Sequence, residues 1–264
     1  MKFLLLLIVC LATIRPVSAQ NQNEFCGLTN TSFRAGETIT FKVYYNLGKL
    51  FVGAGEATFT CNLEKLNGRD VYHISGDGKT FRTYDWFFKV RDKYESFVDT
   101  ASLQPMRFIR NVNEGGYKIY QNVTFNHTDN TAVSNESTLK IPKCTQDVIS
   151  AIYYARNINF DKYKPGDKIY FNMYLDEKLY NIYIRYIGKE TVSTKFGKFR
   201  AIKFAPLLIQ GTMFEGGEKM LVWVSDDGNK VPLRVDSPIS VGSIKVDMVE
   251  YKNLRYNFTS LISK

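Results

Sequence analysis

Residues 35–45 read AGETITFKVYY, and residues 165–175 read PGDKIYFNMYL. In both stretches a glycine and an acidic residue precede a run in which apolar and polar side chains alternate. Alternation with a period of two is typical of a β-strand that buries one face. The same pattern therefore opens two halves of the chain, and an internal repeat constrains the fold more than any single motif does.

Later segments of the two halves correspond as well. Asn67-Gly68 predicts a tight hairpin with positive φ angles, and Phe196-Gly197 takes this place in the second half with weaker turn chemistry. Both halves also contain a V-x-D segment followed by P-x-R, at 90–92 and 105–107 in the first and at 224–226 and 232–234 in the second. The halves are predicted to cover about 33–126 and 160–256.

One helix is predicted between the halves, near 145–157. Thr145 is the expected N-cap, with Asp147 near the positive helix end and apolar residues from Val148 to Ala155 along one face. Two halves that each bury one face of a sheet can join or stand as separate small barrels. We expect an all-β fold with minor α content: an internally duplicated antiparallel β-barrel or curved sheet, forming a single domain over residues 20–264.

The N-terminus has the pattern of a secretory signal peptide over residues 1–19. Lys2 supplies the positive region, residues 3–12 the apolar region, and Val17-Ser18-Ala19 the cleavage site. The apolar run is too short for a membrane span of about 20 residues. We therefore expect a soluble, exported protein that begins near Gln20.

The chain is basic, with a formal charge of +9 that falls to +7 when Lys2 and Arg15 are removed with the signal peptide. In an exported protein, such a field favours anionic glycans, lipid headgroups or an acidic partner protein over nucleic acid. A scattered charge that only keeps the protein soluble is the alternative, since lysines and arginines form no long runs.

Three cysteines remain after cleavage, which permits at most one internal disulfide. Cys61 shares a predicted strand face with Ala57, Phe59 and Leu63, so we expect it in the core. Cys26 and Cys144 flank the first half and could be joined in an oxidising compartment. Paired C-x-x-C spacing is absent and the chain has only two histidines, so no metal site and no cofactor are predicted.

Two sets of residues are candidates for a binding site. Trp86, Phe87 and Phe88 could form a stacking platform for sugars or acyl chains, although consecutive aromatic residues on a strand face both sides of the sheet and some must then be core. Arg91, Arg107 and Arg234 could line an anion site. Alternatively, equivalent bridges Asp92–Arg107 and Asp226–Arg234 would occupy two of these arginines.

Five segments carry a family resemblance: AGE at 35–37, FKVRD at 88–92, EGGY at 114–117, YYAR at 153–156 and, most specifically, WVSDDGNKVPLR at 223–234. Through them the chain resembles the exported bacterial family called domain of unknown function 3108, over roughly Phe33 to Met248. The resemblance implies a Gram-negative envelope protein, in the periplasm or associated with the outer membrane rather than extracellular. It implies no activity and no catalytic residues, because the family is defined without one.

The favoured function is a non-enzymatic binding or carrier module for an amphipathic lipid, a glycolipid or a glycan. One alternative is a hydrolase of envelope glycans, for which paired carboxylates such as Asp226 and Asp227 would have to converge in a cleft. Another is a structural or protein-interaction scaffold. A continuous apolar cavity would favour the carrier, and a polar cleft with converging carboxylates would favour the enzyme.

Overall fold

The computed structural model describes residues 25–86, 88–209 and 216–264. The predicted signal peptide and Phe87 lie outside these residues. Among the described residues the chain forms one helix, α1 (Val148–Ala155), and a single sheet of fifteen strands. The strands are β1 (Glu37–Leu47), β2 (Leu50–Leu66), β3 (Arg69–Thr80), β4 (Arg91–Asp99), β5 (Pro105–Glu114), β6 (Tyr117–Asn126), β7 (Thr131–Val133), β8 (Thr138–Lys140), β9 (Lys168–Leu175), β10 (Lys178–Ser193), β11 (Lys198–Pro206), β12 (Leu221–Ser225), β13 (Pro232–Pro238), β14 (Ser243–Lys252) and β15 (Leu261–Ser263).

The two halves follow one another in the sheet with the same strand order. The order is β8-β7-β6-β5-β4-β3-β2-β1-β14-β13-β12-β11-β10-β9, and β15 pairs with β11 outside this path. All named strand pairs are antiparallel, and β14 joins the halves by pairing with β1, with Thr38 opposite Lys252 and Asn46 opposite Ser243. The predicted fold class is confirmed, because a mostly β chain builds one repeated antiparallel sheet.

The sheet curves around α1 without closing into a complete barrel. The helix contacts β3 and β4 on one side and β9 on the other. In the described part of the chain no strand ladder joins β9 to β8, the two ends of the sheet. The free side of β9 instead makes a parallel bridge from Met173 to Gln146, just before α1. The architecture is therefore barrel-like, with a helix and its apolar neighbours filling the interior.

The N-cap of α1 is Asp147, so the prediction of Thr145 is wrong. The Asp147 carboxylate accepts hydrogen bonds from the backbone nitrogens of Ile149 and Ser150. The Thr145 hydroxyl instead donates to the carbonyl oxygen of Pro142 at 2.8 Å. The backbone of Gln146 is bound to β9, and this pairing delays the start of the helix by two residues.

Two details of the strand pattern also differ from prediction. The β1–β2 pair has a register shift between Val43 and Tyr44, where β2 carries one extra residue. Tyr44 is buried although simple alternation predicts Tyr45, because its ring stacks on Phe51 at 5.1 Å with Lys42 beside it. In β2, Leu63 is 57% exposed because this long strand extends beyond the core at its far end. The predicted turn at Asn67-Gly68 is confirmed, with φ angles of 50° and 80°.

A disulfide between Cys26 and Cys144 ties the N-terminal segment to the segment that precedes α1. Beside it, Phe25 packs on the rings of Tyr154 and Phe171 at centroid distances of 4.5 and 4.4 Å. Cys61 is fully buried, as predicted, and burial raises the pKa of its thiol to about 12. No helix in the described part of the chain is long and apolar enough to cross a membrane.

Candidate functional site

Three of the segments that carry the family resemblance meet in one buried cluster. Arg156 donates from Nη1 and Nη2 to the carboxylate of Glu37 and from Nε to the carbonyl oxygen of Asn229. The guanidinium group also lies over the ring of Phe33, 5.5 Å from its centroid. The Asn229 side chain is itself bonded to the backbone of Tyr256. These motif residues therefore hold elements of the fold together and offer no open binding surface.

The structure does not bring Arg91, Arg107 and Arg234 into one site. Arg91 is paired with Asp85 at 2.7 Å, and Arg107 donates from Nε to Asn122 at 3.0 Å. Arg234 lies on β13, which is separated from β4 by the strands β3, β2, β1 and β14.

The predicted Asp–Arg bridges are also wrong. Asp247 stands directly opposite Arg234 on β14 and accepts from its Nε and Nη2 at 2.7 and 2.9 Å. Asp226 is paired with Lys189 instead, at 3.0 Å. The carboxylate of Asp92 accepts from the backbone nitrogen of Asn113. The repeat predicted the wrong partners because the register between strands decides which side chains face each other. The spacing of the motifs along the chain does not specify that register.

The loop at Ser225–Asn229 connects β12 to β13 as a hairpin. The Asp227 carboxylate accepts from the Ser225 hydroxyl and from the backbone nitrogens of Asn229 and Ser260. Asp226 and Asp227 are thus bound to different partners and do not converge. Within residues 25–86, 88–209 and 216–264, no group of three His, Cys, Asp or Glu side chains is placed to hold a metal ion.

Exposed apolar side chains concentrate at one end of the sheet. This rim end carries the turns β1–β2, β3–β4, β5–β6, β9–β10 and β13–β14, and the far end carries the turns β2–β3, β4–β5, β6–β7, β10–β11 and β12–β13. Seven of the twelve exposed large apolar side chains among the described residues lie in or beside the rim-end turns. We call these seven the apolar rim: Leu47, Phe51, Trp86, Phe88, Tyr117, Tyr120 and Val241.

Two of the predicted aromatic site residues belong to the apolar rim. Trp86 is 83% exposed and Phe88 is 40% exposed, so neither is a core residue. Both follow the short 3-10 turn Arg82–Tyr84, which lies between the end of β3 and the start of β4. Sequence reasoning missed the rest of the rim, since the other members come from separate hairpins that only the fold places side by side.

Lysines also gather at the rim end. Lys42 and Lys245 lie within about 6 Å of rim-end aromatic rings, and exposed lysines follow in the turns and at the strand ends: Lys49, Lys89, Lys118 and Lys178. Of the acidic groups, Asp85 is neutralised by Arg91. Burial, together with a hydrogen bond to Asp92, raises the pKa of Glu114 to about 7. A surface that combines aromatic side chains with lysines is suited to an amphipathic, anionic partner.

The open seam of the sheet is bridged by the β9–β10 turn. Asp176 and Glu177 both have positive φ angles, of 51° and 57°. Asp176 is paired with the buried Arg110 of β5, and the Glu177 carboxylate accepts from Tyr174 at 2.7 Å and from Ser134 at 2.8 Å. A cleft of about 250 Å³ lies along this seam. Here the carboxylates close the fold and are saturated with protein partners.

A second and larger cleft, of about 520 Å³, opens at the far end. It lies between the β2–β3 hairpin, the start of β5 and the end of β6. Arg107 is the one predicted site residue that lines it, with Arg69 and His127 beside it. The interior, by contrast, is occupied in the described residues by α1 and the side chains of the larger hydrophobic core.

These features define a class of protein: a curved antiparallel sheet wrapped around one helix, with its signature motifs buried and its exposed apolar groups gathered on the turns of one end. A family profile described as Protein of unknown function (DUF3108) matches residues 40–249. The chain therefore belongs to this family. No curated protein matches the chain.

One solved structure has a similar fold, and two others match most of the chain with low TM-scores. A β-barrel-like protein of the DUF1849 domain of unknown function, from Brucella abortus, is 9% identical with a TM-score of 0.55, over 84% of this chain and 99% of that one. A protein described as exported, with a YmcC-like fold, from Bacteroides fragilis is 13% identical with a TM-score of 0.35, over 85% and 99% of the two chains. A protein described as a lipoprotein from Parabacteroides distasonis is 12% identical with a TM-score of 0.32, over 85% and 100%.

Proposed function

We propose that this protein is a non-enzymatic binding module of the bacterial envelope, which uses the apolar rim to engage an amphipathic lipid at a membrane surface. The observation that carries the proposal is the gathering of exposed apolar side chains at one end of the sheet, with Trp86 83% exposed at its tip. Contiguous exposed apolar groups mark interaction sites, and single scattered ones do not. The function is therefore assigned to a surface and not to a cavity.

The energetics suit reversible docking. Burying a side chain such as Phe88 fully contributes about 1.5–3 kcal/mol. Each lysine near an anionic lipid surface contributes about 1 kcal/mol. Trp86 and Phe88 with three or four rim lysines are enough for measurable binding without insertion of a helix.

The packed interior favours surface binding over carriage. The rings of Phe25, Tyr154 and Phe171 pack together in the larger core, in the interior where a barrel-type carrier would hold its ligand. The predicted signal peptide and the Cys26–Cys144 disulfide support an exported location in an oxidising compartment. We place the protein in the periplasm or at the inner face of the outer membrane.

The hydrolase alternative has less support. Asp226 and Asp227 are bound to separate partners, Lys189 and the Ser225 turn. The carboxyl pair that does meet, Asp92 with Glu114, is in direct hydrogen-bond contact. Glycosidase carboxyl groups are about 5–9.5 Å apart, which leaves room for the sugar or for a water.

Vesicle co-sedimentation tests the proposal. We expect the mature protein to bind vesicles that contain phosphatidylglycerol, and the double variant Trp86→Ser/Phe88→Ser to bind at least ten-fold more weakly. Ile262→Ser is the matched control, because Ile262 is 50% exposed at the far end. Failure of the wild-type protein to bind, or equal binding by the double variant, would refute a lipid role and leave the scaffold function.

A further inference from the structure

We propose that the far-end cleft of about 520 Å³ is a binding site for an anionic saccharide, a sugar that carries a carboxylate, sulfate or phosphate group. The cleft lies between the Asn67-Gly68 hairpin, the first residues of β5 and the turn after β6. It goes beyond the membrane role proposed for the rim, and it does not depend on that role.

Arg107 supplies the central positive charge of the cleft. Its Nε is fixed by the side chain of Asn122 at 3.0 Å, and its guanidinium lies 6.0 Å from the centroid of the Phe97 ring. Its Nη1 and Nη2 nitrogens have no hydrogen-bond partner among the described residues. A guanidinium held at one edge with the other edge open is arranged for bidentate contact with an oxyanion.

One further charged group and one polar ring lie beside Arg107 in the cleft. Arg69 is exposed on the β2–β3 hairpin and makes no ion pair within the described part of the chain. His127 donates from Nε2 to the carbonyl oxygen of Pro105 at 2.7 Å, which fixes the ring and, in the neutral imidazole, leaves Nδ1 as an acceptor for a sugar hydroxyl. The cleft therefore presents three nitrogen-bearing side chains from three different elements.

No acidic side chain opposes these groups among the described residues that line the cleft. The neighbouring carboxylate of Asp70 is paired with Lys65 at 2.9 Å, and that of Asp129 accepts from the side chain of Asn126 at 2.7 Å. Both are thus engaged away from the arginines. The local potential is positive even though the chain has 26 acidic residues.

The size and the remaining lining indicate a sugar and not a lone ion. A volume of about 520 Å³ is within the range of small-molecule sites, about 300–1,000 Å³, and far exceeds one inorganic anion. Asn67, Thr124 and Thr128 supply amide and hydroxyl groups that match sugar hydroxyls, while Leu66 and Met106 supply an apolar wall. The sequence alone indicated only Arg107 as a residue of this site, because Arg69 and His127 are remote from it along the chain.

The cleft and the apolar rim are at opposite ends of the sheet. β5 starts at the cleft and ends at the rim, and its ten residues span about 30 Å. A protein docked by its rim would present the cleft away from that membrane. In that orientation the headgroup of a lipid in the same membrane does not reach the site.

Calorimetric titration of the full mature protein at fixed ionic strength tests the site. The probes are glucuronate and glucose 6-phosphate. The comparison ligands are glucose, inorganic phosphate and phosphatidylglycerol vesicles. We expect both anionic sugars to bind and Arg69→Gln/Arg107→Gln to weaken binding at least ten-fold. Lys195→Gln/Lys198→Gln is the matched control, since it removes two exposed charges at the far end outside the cleft. It should change affinity less than two-fold.

Each comparison arm decides one part of the proposal. Equal binding of glucose would show that no anion site exists, and equal binding of inorganic phosphate would show that the sugar is not recognised. Loss of vesicle binding in Arg69→Gln/Arg107→Gln would reassign the cleft to a lipid headgroup. Because Arg69 is exposed, Arg69→Gln alone should fold normally and weaken binding about three-fold, so a folding defect in the double variant would not hide the result.

Discussion

Arg156 and Glu37 form a bidentate ion pair, with Nη1–Oε1 and Nη2–Oε2 distances of 2.5 and 2.9 Å, in which both side chains are almost completely shielded from water. Glu37 begins the first strand, and Arg156 is the C-cap of the helix, 119 residues further along the chain. The same guanidinium binds the carbonyl oxygen of Asn229 in the β12–β13 turn. One side chain thus joins the two halves of the sheet to the helix between them.

Breaking this pair is expected to destabilise the fold strongly. Glu37→Gln leaves the Arg156 charge buried without a counter-charge, and loss of one member of a buried pair costs about 3–5 kcal/mol. Urea denaturation followed by circular dichroism measures the change. Lys65→Gln is the control, because the Lys65–Asp70 pair is exposed and its loss should cost less than about 1 kcal/mol. Equal stability of Glu37→Gln and wild type would contradict the assignment.

Asp147 makes stability depend on pH in the direction opposite to most carboxylates. Burial raises its pKa to about 6, although hydrogen bonds from Ser96 and the first helical turn oppose this shift. The unfolded value is about 3.9. A carboxyl group with a raised folded pKa contributes stability that is complete below the unfolded pKa and is lost as pH rises through the folded pKa. Between about pH 4 and 6 this group should therefore remove roughly 3 kcal/mol.

The variant Asp147→Asn isolates that effect, since asparagine is an equally good N-cap and carries no charge. We expect the difference in the free energy of unfolding, variant minus wild type, to increase by roughly 3 kcal/mol as pH rises from 4 to 7. Asp147→Ala is the comparison that removes the cap at every pH. Parallel pH profiles for wild type and Asp147→Asn would show that the carboxyl group does not titrate in this range.

The disulfide and the buried cysteine determine how many thiols react in the native, unfolded and reduced protein. The mature native protein should show no thiol that reacts with Ellman's reagent, because Cys26 and Cys144 are joined and Cys61 is buried with a pKa of about 12. One thiol should appear on unfolding in denaturant, and two more after reduction. Reduction should also lower stability by about 4–5 kcal/mol, as expected for a loop of this length. A reactive thiol in the native protein would argue against the pairing.

Local chemistry predicted the local features of this fold. Asn67-Gly68 forms its hairpin because the turn type depends on those two residues alone, and Cys61 is buried because its strand face is apolar. Features that depend on contacts between distant parts of the chain could not be predicted from the sequence. The partner of Arg234 depends on the register of β14, and the approach of Arg69 to Arg107 depends on how the sheet places β3 and β5 around β4. The apolar rim and the far-end cleft both depend on non-local contacts. The sequence therefore indicated single residues of each site, and only the fold shows which residues lie together.

Binding of the rim to anionic vesicles should strengthen as pH falls through about 7. Burial and the hydrogen bond to Asp92 raise the pKa of Glu114 to about 7, so this group is protonated at lower pH and the rim end loses a negative charge. One charge near an anionic lipid surface is worth about 1 kcal/mol, which corresponds to a change in affinity of about five-fold. Co-sedimentation from pH 6 to 8 measures it.

Glu114→Gln should bind with the affinity of the protonated wild type at every pH in this interval. Glu250→Gln is the matched control, because Glu250 is an exposed carboxylate at the far end of β14 and its removal should leave the pH dependence intact. Neither histidine lies at the rim end: His73 is held between Glu64 and Glu95 on β2 and β4, nearer the far end of β3, and His127 lies in the far-end cleft. A pH dependence that persists in Glu114→Gln would mean that another group controls binding, and one that also survives Trp86→Ser/Phe88→Ser would place the vesicle contact outside the rim.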